Sequence, residues 1–252
     1  CWCGGRPLGA RGDGGGSIRI PAGFTGTFGL KATYGRIPLA PRVPLGNLTV
    51  TVGCISRSVR DTARWFDVCS GPDGRDQFSH HAPTNWEAGL DTNLDAIRGM
   101  RVAVVADWGG ATLAPEMWDV LAASAERLIA ATGMRRVEGL DTSLPRMGAA
   151  WSISGSVGTY AQIAHAWPAC AEVLTPEIRG TMRLAERYGL AERIKFEARR
   201  MSFNERMGAI FDAVDFVITA SNPDVAFAAE GPLPKTFGGL EAGAGNNGLL
   251  TF

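Results

Sequence analysis

The 252-residue chain carries 25 Lys and Arg against 25 Asp and Glu, and this zero net charge leaves no electrostatic footprint for nucleic acid or a membrane surface. No apolar run reaches the ~18 residues of a membrane span. The length suffices for one domain with a sizeable core, taken to run over residues 1–252.

In chain order, Asp13-Gly14-Gly15-Gly16-Ser17 is a glycine turn, and Ile18-Arg19-Ile20 reads as a short strand stopped by Pro21. Phe24 to Arg36 mixes aromatic and β-branched residues with glycines and suggests a strand or two beside that turn. Residues 37–54, with three prolines and Gly46, read as a long surface loop. Ser58-x-x-Asp61 resembles a capping box, and Val59, Ala63, Phe66 and Cys69 follow at helical spacing before Gly71-Pro72. A helix over about 59–70 is expected.

Residues 71–97 are polar and turn-rich. Arg101 to Ala106 reads as a buried strand by the unbroken apolar run that follows Arg101, Pro115-Glu116 opens a helix ended by Gly133, and a returning strand is expected at Arg135-Arg136-Val137. No Gly-x-Gly-x-x-Gly follows Val105, so this strand–helix–strand order does not imply dinucleotide chemistry. Residues 147–212 read as mostly helical, with a buried helix from Met147 to Cys170 broken near Pro168. A charged helix from Pro176 and another over 191–212 follow. Asp215 to Thr219 is a late core strand, and residues 220–248 are loop-rich. The order favours a layered α/β fold.

The chemistry concentrates at the glycine turn. Three glycines let the backbone aim several N–H groups at one point, which suits an anion or a developing oxyanion. The adjoining Ser17 hydroxyl completes a nucleophile with an oxyanion hole built from Gly14, Gly15 and Gly16. A phosphate cradle fits less well, because Gly-x-x-x-x-Gly-Lys-Ser/Thr is absent and Asp13 would repel phosphate. The Gly-x-Ser-x-Gly elbow of α/β-hydrolases is absent too. His80 and His81 lie in a polar loop, and His165 reads as a buried side chain, so a Ser-His-Asp triad is poorly supplied. No metal site or cofactor is implied. Five cysteines without paired spacings point to a reduced, cytoplasmic compartment. Ser152, Ser154, Ser156 and Thr159 are candidate pocket hydroxyls, although half-buried helix hydroxyls are commoner.

Gly12-Asp13-Gly14-Gly15-Gly16-Ser17-Ile18-Arg19-Ile20-Pro21-Ala22, continuing through Phe24-Thr25-Gly26 and Gly29-Leu30-Lys31-Ala32-Thr33-Tyr34-Gly35-Arg36, resembles the amidase signature family. Ser56 to Asp61, Gly71-Pro72-Asp73, Phe211-Asp212 and Phe216 to Thr219 extend the resemblance over most of the chain. The resemblance implies a mixed β-sheet covered by helices on both faces, incomplete here at both ends. It also implies hydrolysis of a small-molecule amide through a Ser-Ser-Lys triad and an acyl-enzyme, with Ser17 as nucleophile.

In that family the bridging serine, held by a cis peptide, and the lysine base lie upstream. Residues 1–11 contain neither Ser nor Lys, so the chain reads as an internal fragment. Lys31 matches a family lysine outside the triad and reads as structural. Asp13 and Arg19 would brace the turn, and Asn222 and Phe227 would border the acyl pocket. A homodimer is compatible with the family. The glutamine-hydrolysing component of a tRNA-dependent amidotransferase is an alternative, and so are an inactive truncated relic and a chain that does not fold.

Overall fold

The computed structural model describes residues 8–40, 48–81, 85–92, 94–108, 110–146 and 149–251, with the backbone alone for 149–154. Strand β1 (Leu8–Asp13) runs straight into the glycine turn. Beyond it the chain enters helix α1 (Arg19–Thr25), not the strand expected for Ile18-Arg19-Ile20. Pro21 does not oppose this helix, because it occupies the third helical position, where a backbone N–H has no intrahelical acceptor. Helical spacing puts Ile18 and Ala22 on one face, where they are buried with Ile55. Gly26 then closes the helix at φ 62°.

Strand β2 (Phe28–Lys31) and strand β3 (Thr51–Ser56) follow. β3 is the central strand of an antiparallel sheet in the order β1-β3-β2, with Asp13 opposite Thr51 and Lys31 opposite Gly53. Its first residues fall in the stretch expected to be loop. β1 pairs with all of Thr51 to Ser56 and β2 joins it from Gly53 onward, and this pairing overrides the weak strand propensity of Gly53. That glycine has a packing reason, because a Cβ there would lie 2.2 Å from the carbonyl oxygen of Leu30.

Helix α2 (Val59–Cys69) is capped as the sequence indicates. Ser58 Oγ accepts the Asp61 N–H at 3.1 Å and donates to the Asp61 carboxylate at 2.8 Å. Its Phe66 packs with Ala32, Ile37 and Cys54 in a small core.

A second sheet is parallel. Strand β4 (Arg101–Val105), helix α3 (Pro115–Thr132) and strand β5 (Arg135–Arg136) follow the expected strand–helix–strand order. Three helices come next: α4 (Ala149–Ile163), α5 (Pro176–Ala185) and α6 (Leu190–Ala213). Strand β6 (Phe216–Thr219) then completes the sheet in the order β5-β4-β6. Ala103, Val105, Trp108, Ala111, Ile210, Val214, Ala220 and Leu250 form its buried core. A short hairpin of β7 (Thr236–Phe237) and β8 (Leu240–Glu241) lies in the loop-rich tail.

Antiparallel and parallel pairing thus coexist in a layered α/β fold. His165 is exposed, contrary to the buried position expected from its apolar neighbours. Among the described residues, no helix is long and apolar enough to cross a membrane.

Candidate active site

The site is built around one carboxylate. Asp13 ends β1 with its side chain fully buried. It accepts the N–H groups of Gly16 at 2.7 Å, Ile18 at 3.1 Å and Arg19 at 3.4 Å, folding the backbone around Ser17. Arg19 adds a bidentate pair, with Nε at 3.0 Å and Nη2 at 2.9 Å. Burial alone would raise the Asp13 pKa. The Arg19 bond, the Gly16 N–H and the charges of Arg19 and Lys31 outweigh it and hold the carboxyl well below the usual carboxylate range.

Lys31 reaches the same carboxylate from β2. Its Nζ donates to the Asp13 carbonyl and, at 2.6 Å, to the Thr49 carbonyl, and it lies 3.4 Å from Asp13 Oδ1. Burial pushes its pKa down, while the charge of Asp13 opposes that shift. With three acceptors around three ammonium protons, Lys31 bridges β1, β2 and the segment before β3. This contact supports the structural reading of that lysine over a role as base.

Thr251 arrives from the far end of the chain. Its Oγ1 donates to the Gly15 carbonyl at 3.0 Å, and its own carbonyl accepts Arg19 Nη2. Gly16 sits at φ 110°, and a Cβ there would fall 2.2 Å from Thr251 Oγ1. Sequence reasoning missed Thr251, because no local pattern marks a residue that acts across the whole chain.

Ser17 is exposed at the head of α1, and its hydroxyl has no hydrogen-bond partner among the described residues. The three glycines next to it are not equivalent. The Gly16 N–H is engaged by Asp13, so it is not the free donor expected of it. The N–H groups of Gly14, Gly15 and Ser17 have no acceptor among the described residues.

Asn222 and Phe227 both meet α1. Asn222 is buried, donates through Nδ2 to the Ile20 carbonyl at 3.2 Å, and leaves its Oδ1 without a partner among the described residues. Phe227 packs edge-on to Phe24 with ring centroids 5.5 Å apart. Both rings line a cleft of about 190 Å³ with Pro223, Pro234 and Phe237. A larger cleft of about 290 Å³, lined by Phe28, Leu30, Phe66 and Trp86, lies between β2 and α2, and Ser17 is not among its walls.

Of the candidate helix hydroxyls, Ser156 is buried and Thr159 bonds back to the Gly155 carbonyl at 3.4 Å. Ser152 and Ser154 lie outside the described side chains. Among the described residues, no group of three or more His, Cys, Asp or Glu is placed to hold a metal ion.

The sequence profile of the Amidase family matches residues 3–237. The chain belongs to the amidase signature family. Among curated proteins it is 44% identical, over 99 residues, to a glutamyl-tRNA(Gln) amidotransferase subunit of Limosilactobacillus fermentum. That alignment covers 38% of this chain and 20% of the relative. The protein of the same name from Synechococcus is 29% identical over 243 residues, covering 85% of this chain and 49% of the relative.

Among solved structures, a bacterial aryl acylamidase of the amidase signature family superposes with a TM-score of 0.80 at 22% identity. It covers 97% of this chain and 52% of that one, which matches the fold. The chain therefore spans about half the length of the aryl acylamidase and of the Synechococcus relative.

Proposed function

We propose that the complete protein hydrolyses a small carboxylic amide through an acyl-enzyme on Ser17. The observation that carries this reading is the turn itself. Asp13 gathers the Gly16, Ile18 and Arg19 N–H groups on its buried side, while the Ser17 hydroxyl is exposed and the Gly14, Gly15 and Ser17 N–H groups have no acceptor among the described residues.

Ser17 Oγ attacks the amide carbonyl carbon. The carbonyl oxygen takes the negative charge and is held by backbone N–H groups of Gly14, Gly15 and Ser17. One such donor is typically worth about 10²–10³ in rate. The hydroxyl proton passes through the bridging serine to the lysine that the family places upstream, and from there to the departing nitrogen. Water then attacks the acyl-serine, releasing the acid and restoring Ser17. Asp13 and Arg19 touch no reacting atom in this scheme and hold the turn.

A second reading is favoured by the curated relatives, which are named as glutamyl-tRNA(Gln) amidotransferase subunits. There the amide is glutamine and its ammonia is passed on. Hydrolysis of simple or aryl amides without partner proteins supports the stand-alone amidase; turnover of glutamine only with partner proteins supports the second reading.

The test of both is Ser17→Ala in the full-length protein. Turnover is expected to fall by about 10⁴-fold or more, with loss of fluorophosphonate labelling mapped to Ser17 by mass spectrometry. Retained turnover overturns the serine assignment. A cooperatively unfolding wild-type protein that neither labels nor turns over is the inactive relic.

A further inference from the structure

The Gly15 carbonyl and the Gly16 N–H belong to one planar peptide unit. Its oxygen is held by Thr251 Oγ1 at 3.0 Å and its hydrogen by Asp13 Oδ1 at 2.7 Å. A glycine–glycine peptide is otherwise the easiest place in a chain to rotate. Pinned at both ends, this one cannot turn over without breaking both bonds. The Thr251 hydroxyl has one proton to give, and the Gly15 carbonyl is nearer than its other acceptor, Gly248 O at 3.5 Å. Thr251 is 2% exposed, so water is not at hand to replace it. The same residue also receives Arg19 on its carbonyl, tying the bidentate partner of Asp13 to the same segment.

We propose that Thr251 is a positioning residue. It fixes the plane of the Gly15–Gly16 peptide and thereby the aim of the flanking Gly15 and Ser17 N–H groups. The kinetic consequence rests on the serine reading above, whereas the conformational one does not.

The test compares Thr251→Val, which keeps the shape and removes the donor, with Thr251→Ser, which keeps the donor. In Thr251→Val, exchange of the Gly16 amide, followed by NMR, is expected to accelerate about fivefold to tenfold, the worth of one hydrogen bond. The core amides of Val102 and Ala103 should not change, and Thr251→Ser should restore Gly16. In the full-length enzyme, kcat should fall about tenfold with KM nearly unchanged, again rescued by serine.

Unchanged Gly16 exchange in Thr251→Val overturns the proposal, whatever happens to kcat. If wild-type protein shows no turnover, the serine reading fails while the exchange result still decides the role of Thr251. Should the valine variant not fold, Thr251→Ala removes the same donor without placing a methyl where the hydroxyl was, and the same outcomes apply.

Discussion

The two three-stranded sheets among the described residues are held together by different means. Around the parallel sheet, Ala103, Val105, Ile210, Val214 and Leu250 bury an apolar core. Its ion pair of Arg101 with Asp215, at 2.8 Å, sits at the partly exposed end of β4. The antiparallel sheet has smaller apolar clusters and instead closes on a fully buried carboxylate with two cations, three backbone N–H groups and the segment around Thr251. Apolar contacts are non-directional, so they stabilise without fixing an orientation. Charge-assisted hydrogen bonds are directional and set atoms to within tenths of an ångström. The fold puts its directional interactions around the turn that carries Ser17, the proposed nucleophile.

The largest effect is expected from Asp13→Ala. It leaves Arg19 and Lys31 facing each other without their counter-charge and should cost about 3–5 kcal/mol in denaturant unfolding. Loss of Ser17 labelling should accompany it under conditions where the chain is still folded. The same carboxylate gives an acid limb with a definite sign. Its folded pKa lies below the unfolded value of about 3.9. Its contribution is therefore fully present above that unfolded value and is lost as pH falls towards the folded one. Asp13→Asn should flatten this limb in stability measured from neutral to acid pH.

Ile210→Ala, in the apolar core, should cost about 3 kcal/mol through the cavity it leaves. At a temperature where the variant is folded, Ser17 should label at the wild-type rate. If this variant slowed labelling as much as the Asp13 variants do, the division between a stabilising core and an aiming network would fail. The smallest effect is expected at Ser58, whose cap on α2 is local. Ser58→Ala should lower stability by about 1 kcal/mol and leave labelling untouched.

What was legible in the sequence was local. The Ser58-x-x-Asp61 cap, the apolar run at 102–105 and the Pro115 and Gly133 ends of α3 each carry their signal within a few residues. What escaped depends on partners distant in sequence. Ile18-Arg19-Ile20 alternates like a strand, but burial of Ile18 and Ala22 together with Ile55 favours the helix. β3 exists because Leu8–Asp13 and Phe28–Lys31 pair with it on either side. The serine turn stood out through its glycines and its family resemblance. The Lys31 and Thr251 contacts that hold it span 18 and 236 residues and leave no local pattern.

The bond from Thr251 to Gly15 also orders events in time. Within this chain the serine turn leaves the ribosome well ahead of Thr251, yet the contact that pins its central peptide closes a loop of 236 residues. Contacts of such separation form late, after the loop-closure entropy has been met by other structure. During synthesis the nascent turn therefore lacks its final geometry until residue 251 has emerged, and the turn that carries Ser17 is among the last features of this chain to be assembled.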